Sequence, residues 1–255
     1  MTITPNHLLT NLTDNADVQE WLRWVQVTSV PLRRLDAGDI PVDIASACLI
    51  DYQGRRYLLS VQHAVDMGAK DWIIDLGYDP LKGTEFYRPR SFNYVMEMTR
   101  GTGVIREIDF CYTEVPNDLV SIYQHVTPRG ISDERSRHVF ETDLTATPDP
   151  GQIFAFAGEV KPEYHGLSTV VTEMHVFPGL RYLRTEREFH VFQLPAPHPG
   201  HQQFQGCSGA PIVDMNKSVV ALVCDGDIPT NTIRGVSLAR YKFAVDFAWG
   251  RESRA

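Results

Sequence analysis

The chain has 255 residues, a net charge of −8, 43% hydrophobic residues and 22% charged residues. This is globular composition and argues against general disorder, while the acidic balance argues against a nucleic-acid binder, which needs a basic face. No stretch approaches the roughly 20 apolar residues of a membrane span, and the length suits one large domain or two small ones that share a core.

The opening segment "MTITPNHLLTNLTDNADVQEW" has neither a basic start nor an apolar run, so no secretory signal is expected. The first helix is predicted over Asn15 to Val25, capped by Asn15 or Asp17, with Trp21, Leu22 and Val25 on one face. Short runs rich in β-branched and aromatic residues follow, broken by Gly, Pro and Asp. They are "VPLRRLD", "IASACLIDYQ", "RRYLLSVQHAV", "WIIDLGY", "FNYVMEM" and "IDFCYTEV", then "QIFAFAGEV", "STVVTEMHVF", "FHVFQLP", "APIVDM", "SVVALVCDG" and "IRGVSLARY". Twelve short strands with turn signals between them predict an all-β sandwich or barrel, and "DYQGRR" predicts a hairpin. The runs form two sets of six. The expected organisation is an N-terminal helical extension over 1–28, a first β module over 29–116, a linker over 117–150, and a second β module over 151–255 that ends in a short helix around "KFAVDFAWG".

The four cysteines, Cys48, Cys111, Cys207 and Cys224, are too few for a disulfide framework in a chain this long. They read as reduced thiols, which with the missing export signal gives an expected cytoplasmic location. On that reading the "NLT" and "NKS" matches to a glycosylation pattern are chance.

The stretch "QGCSGAPIVD", Gln205 to Asp214, fences a cysteine and a serine with glycines and runs into an apolar strand. A serine hydroxyl is a poor nucleophile unless a base removes its proton and a third group orients that base. "YLLSVQHAV" places His63 where an apolar strand gives way to a loop, and "IREIDFCYTEV" places Asp109 at the start of another. A carboxylate in such surroundings needs a hydrogen-bonding partner, and an imidazole can supply it.

These segments resemble the chymotrypsin-like (trypsin-like) serine proteases, including their bacterial HtrA-type relatives. "GCSGAPIVD" resembles that family's nucleophile segment, "LLSVQHAV" its histidine segment and "EIDFCYTEV" its aspartate segment, in the same chain order. The likeness spans roughly residues 30–255. It implies two six-stranded antiparallel β-barrels and a serine endopeptidase that acts through an acyl-enzyme. Ser208 would be the nucleophile, His63 the general base and acid, and Asp109 the group that orients the imidazole. The N–H groups of Gly206 and Ser208 would form the oxyanion hole. The main chain of Cys224, Asp225 and Gly226 would pair with an extended polypeptide substrate, and Gln202 would lie near the floor of the first specificity pocket. No cofactor, metal, nucleic acid or membrane is implied, and a regulatory protein partner would fit a protease that needs control.

Two departures stand out. Cys207 occupies the position where activated digestive-type relatives carry an aspartate that pairs with a newly cut N-terminus, so zymogen activation of that kind is not expected. Ala64 follows His63, where the family's usual disulfide partner would stand. An α/β-hydrolase is disfavoured by the residue order and by Ala210 at the last position of its G-x-S-x-G elbow. Cys207 reads as a small buried support, the "HPGH" histidines His198 and His201 as loop residues, and the Asp225 and Asp227 pair as a solvated turn with a weaker reading as a site for basic substrates. A fold-retaining binding module without turnover is the alternative to an active enzyme.

Overall fold

The computed structural model describes residues 15–65, 71–79, 81–99, 101–127, 130–165 and 169–252. Helix α1 spans Ala16–Val25. Asn15 caps it by accepting the Asp17 N–H, and Val18, Trp21 and Val25 form its buried stripe. The Trp21 indole N–H donates to the Asp214 carbonyl at 2.8 Å, which ties the helix to the distant C-terminal half.

A first sheet follows in the order β5-β4-β1-β2-β3-β7-β6, with β10 pairing alongside β2. Its strands are β1 (Val30–Leu35), β2 (Pro41–Tyr52), β3 (Arg55–Ser60), β4 (Trp72–Asp79), β5 (Gly83–Tyr87), β6 (Asn93–Met98), β7 (Ile105–Val115) and β10 (Val139–Glu141). The β2–β3 hairpin turns at Gln53 and Gly54, whose φ values of 51° and 80° suit the twist of the two strands. Only six strands are expected here from the sequence, and the sheet has eight. The extra two, β5 and β10, are short. β5 is exposed at Thr84, Glu85 and Phe86 and so lacks the alternation that marks a strand. β10 is three residues long and owes its existence to the length of β2, which β10 pairs in parallel from Leu49 to Asp51 after β1 has left that edge. Strands β8 (Ile122–Thr127) and β9 (Gly130–Ser136) form a separate hairpin before β10.

The second half closes into a six-stranded barrel, β11-β12-β13-β16-β15-β14. These are β11 (Phe154–His165), β12 (Thr169–Glu186), β13 (Phe189–Gln193), β14 (Pro211–Asp214), β15 (Val219–Asp227) and β16 (Thr232–Ser237). Phe154, Phe156, Phe192, Ile212, Val220 and Ile233 fill its interior. The chain ends in a helix spanning Leu238–Glu252, longer than the expected terminal helix.

One apolar core joins the sheet, the barrel and the helices. It contains Leu59 and Phe110 from the sheet, Ala157 and Leu222 from the barrel, Trp21 from α1 and Tyr241 from the terminal helix. A buried ion cluster crosses the same boundary. Arg33 on β1 bonds to Glu159 on β11, and Arg137 donates to Glu159 at 3.0 Å. Thr172 on β12 donates to Glu159 at 2.5 Å, and Asp75 on β4 lies 3.7 Å from Arg33. Charges this far from water hold only with partners on every side. Arg33 and Arg137 hold the Glu159 carboxyl at about 2 even though burial acts to raise it. All four cysteines are free and buried, and no helix among the described residues is long and apolar enough to cross a membrane.

Candidate active site

Strand β3 ends at Ser60 and the chain turns at once into a single helical turn, α2 (Gln62–Val65), which carries His63. Asp109 is set by a β-bulge. The register between β6 and β7 jumps from Tyr94 opposite Cys111 to Val95 opposite Ile108, so Asp109 and Phe110 oppose no residue on β6. β3 also pairs no further along β7 than Cys111. An unpaired bulge residue can redirect its side chain out of the sheet's alternation, and here Asp109 reaches α2.

The three side chains meet. His63 Nδ1 lies 2.9 Å and 2.8 Å from the two Asp109 oxygens, and the His63 main-chain N–H donates to Asp109 Oδ1 at 3.0 Å. His63 Nε2 lies 3.0 Å from Ser208 Oγ. With the carboxylate taking the Nδ1 proton, Nε2 is left as an acceptor for the serine hydroxyl. Burial acts to lower the His63 pKa, but the hydrogen bond and charge of Asp109, with Asp225 behind it, raise it above its ordinary 6.5. Burial likewise acts to raise the Asp109 pKa, and His63 outweighs it and lowers the value, aided by the Cys224 thiol. An ionised carboxylate, an imidazole and a hydroxyl in line can move the hydroxyl proton onto nitrogen and stabilise the cation that results.

Ser208 stands on a tight loop between the 3₁₀ turn His201–Phe204 and β14. Gly206 has φ 95°, and a Cβ there would lie 2.2 Å from the Glu159 carbonyl oxygen. At Gly209, φ 89°, a Cβ would lie 2.0 Å from the Ser46 carbonyl oxygen. Both positions therefore require glycine. The Gly206 and Ser208 N–H groups donate to no acceptor among the described residues. Cys207 is fully buried in the barrel core with its thiol against Gly158, and burial pushes its pKa up, which makes it an inert support.

Beside Ser208 lies a cleft of ≈ 370 Å³. Gln202, Phe204, Val223, Cys224, Gly226 and Ile233 are among its lining residues. β15 pairs with β14 only as far as Leu222, and from Asp225 to Asp227 its ladder partner is β16 alone. The expected substrate-binding residues Cys224, Asp225 and Gly226 thus border the cleft on the side that β14 has vacated. Both carboxylates of this run are already engaged. Asp225 is held by both Arg234 Nε at 2.7 Å and Arg234 Nη2, and Asp227 accepts from Thr230. The buried Cys224 thiol donates to the Leu222 carbonyl at 3.6 Å and also interacts with the Asp109 carboxylate. His198 and His201 stand 5.5 Å apart at ring centres, and His198 Nδ1 accepts the Gly200 N–H.

Sequence reasoning missed Ser46, Arg33, Arg137 and Glu159. Each contacts the other half of the molecule. The only available signal was charge or hydroxyl inside strand-like runs, such as Arg33 in "VPLRRLD" and Glu159 in "FAFAGEV".

No model of a known protein family matches the chain, and no curated protein matches it. Solved structures do. The serine endoprotease from Yersinia pestis superposes with a TM-score of 0.51 at 11% identity, covering 89% of this chain and 65% of that one, so the chain spans about two thirds of its length. Human heparin binding protein superposes with a TM-score of 0.51 at 10% identity, covering 88% of this chain and 91% of that one. The fold is chymotrypsin-like. One of these neighbours is named a protease and the other a binding protein, so the fold leaves activity to be argued from the site.

Proposed function

We propose that the protein is a serine endopeptidase whose triad is His63, Asp109 and Ser208. The observation that carries the reading is the continuous chain from Asp109 through both ring nitrogens of His63 to Ser208 Oγ, at 2.8 Å and 3.0 Å. His63 takes the Ser208 proton as Oγ bonds to the substrate carbonyl carbon. The carbonyl π electrons move onto oxygen, which the Gly206 and Ser208 N–H groups receive. The C–N bond then breaks and His63 gives its proton to the departing amine. Water, deprotonated by His63, attacks the acyl ester, and the proton returns to Ser208 as the ester C–O bond breaks.

The substrate is an extended polypeptide. It adds to the free edge of β15 at Cys224, Asp225 and Gly226, with alternate side chains entering the cleft. The residue before the scissile bond is apolar or uncharged. Phe204, Val223 and Ile233 supply apolar walls, Gln202 supplies a neutral polar group, and the Asp225 charge is already matched by Arg234. The free thiols agree with a reducing compartment such as the cytoplasm.

The test is labelling with a fluorophosphonate probe together with cleavage of a peptide library. Labelling by the wild type that disappears in Ser208→Ala, with turnover, supports the enzyme. A folded wild type that neither labels nor cleaves leaves the peptide-binding module.

A further inference from the structure

The position before the nucleophile holds an uncharged buried thiol, so something else has to shape the loop that presents Gly206 and Ser208. The bonds around that loop identify it. β2 pairs with β3 only from Cys48 onward, so Ser46 lies two residues beyond that ladder, and its N–H has no backbone partner on β3. Ser46 is almost wholly buried, at 1% exposure. Its hydroxyl donates to the Gly206 carbonyl at 2.7 Å and its N–H donates to the Ser208 carbonyl at 2.9 Å. Its own carbonyl accepts the Ser60 hydroxyl at 2.8 Å.

These bonds clamp two peptide units from both sides. The Gly206–Cys207 unit has its carbonyl on Ser46 Oγ and its N–H on the Phe204 carbonyl at 2.9 Å. The Ser208–Gly209 unit has its carbonyl on the Ser46 N–H and its N–H on the Val223 carbonyl at 2.8 Å. A peptide unit fixed at both ends cannot rotate without breaking two bonds. The N–H groups of Gly206 and Ser208 belong to the units that flank these two, and they are the ones left without an acceptor.

We propose that Ser46, on the first sheet, is a positioning residue for the oxyanion site, holding the Gly206 and Ser208 amides toward the reacting carbonyl through its bonds to the Gly206 and Ser208 carbonyls. This rests on the serine protease reading. It assigns to a single residue on one half of the molecule the shape of a loop on the other half, and it leaves the loop with no need of a charge at residue 207. Only the side-chain bond can be removed by mutation. Ser46→Ala deletes the hydroxyl and leaves the backbone bond to Ser208.

The experiment compares wild type, Ser46→Ala, Ser46→Thr and Ser121→Ala, the last losing an equally buried hydroxyl that bonds to the Asp75 carbonyl and to no residue of the loop. Readouts are kcat and KM on a peptide substrate, the rate of fluorophosphonate labelling, and affinity for a peptide boronic acid, which forms a tetrahedral adduct with Ser208. Losing one direct oxyanion donor costs about 100- to 1,000-fold, so loosening one should cost roughly 10-fold or more in kcat. The expected result for Ser46→Ala is that drop with KM changed less than about 3-fold, a parallel loss of labelling rate and boronate affinity, partial recovery in Ser46→Thr, and unaltered kcat in Ser121→Ala. A wild type that labels, paired with a Ser46→Ala variant that labels and turns over at the same rate, overturns the positioning role alone. Equal kcat losses in Ser46→Ala and Ser121→Ala overturn it too, since that pattern marks general destabilisation. A wild type that never labels overturns the protease reading and the role of Ser46 with it.

Discussion

The eight-stranded sheet and the closed barrel contribute to the candidate site in different ways. The sheet supplies side chains with acid–base chemistry: His63 on a helical turn and Asp109 on a bulge. The barrel supplies Ser208 and a run of main chain, the Gly206 and Ser208 amides and the open edge of β15. Closure of the barrel accounts for part of this division. A closed barrel has few free edges, and the edge of β15 is free because β14 stops at Pro211, opposite Leu222. The open sheet instead has strand ends and a bulge, which aim individual side chains outward. Neither half holds a complete site, so the stability of the boundary between them and the activity of the protein should be linked.

The comparison breaks most sharply at the triad. Ser208→Ala or His63→Ala should lower kcat by about 10,000-fold or more, with the thermal midpoint nearly unchanged because Ser208 borders the cleft and the His63 side chain is about half exposed. Active-site titration against a circular dichroism melt checks this. A His63→Ala variant with near-normal turnover would remove the sheet from the chemistry.

The next effect lies at the boundary. Glu159→Gln removes the carboxylate between Arg33 and Arg137 and leaves two buried guanidinium groups short of a partner, which should cost roughly 3–5 kcal/mol. Urea unfolding would measure it. The pH dependence has a definite sign. The folded Glu159 value of about 2 lies below its ordinary 4.5, so its contribution is complete above about 4.5 and is lost as pH falls toward 2. The gap between wild type and variant should therefore close on acidification. A gap that persists at pH 2 would show that the loss came from packing and not from charge.

A smaller effect separates the two halves by substrate. Because Arg234 neutralises Asp225, peptides with an apolar or uncharged residue before the scissile bond should be cleaved at least about 10-fold better in kcat/KM than those with Arg or Lys, on the scale of an unpaired buried charge reduced by solvent at the cleft mouth. Arg234→Ala should shrink that preference by freeing the Asp225 carboxylate. Preference for Arg in the wild type would restore the acidic-turn reading of Asp225 and Asp227.

The finest test reads the sheet's own electrostatics. His63 must be neutral to act as base, and its pKa is raised above 6.5. The rise of kcat/KM with pH should thus be centred above 6.5, and Asp109→Asn should move that limb downward while lowering kcat. An acid limb below 6.5 in the wild type would contradict the pairing.

His63 and Asp109, which the fold brings together with Ser208, stand out in the sequence because both interrupt an apolar run. His63 follows "YLLSVQ" and Asp109 divides "REI" from "FCYTEV". An all-β fold was readable from the strand runs, and the resemblance of three motifs in their order implied its chymotrypsin-like form. Two places were less legible. "CDGD" reads as a solvated turn, but a linear reading does not include Arg234, which pairs with Asp225 across the β15–β16 ladder. The segment 117–150 reads as polar connection because β8, β9 and β10 lack a continuous apolar face, though backbone bonding still makes them strands.

What the sequence by itself determined is local: which segments extend, where glycine must turn the chain, and which polar residues stand in apolar runs. Those properties depend on neighbours a few positions away. Only the tertiary structure decided that Ser46 holds the loop before Ser208, that Glu159 joins two arginines across the boundary, and that Asp109 escapes its strand through a bulge. Each of these depends on a partner from a different strand or loop, 126 positions away for Arg33 and Glu159 and 160 for Ser46 and Gly206. Hydrogen bonds and ion pairs of that kind are short-ranged, so they exist only after folding has brought their partners into contact.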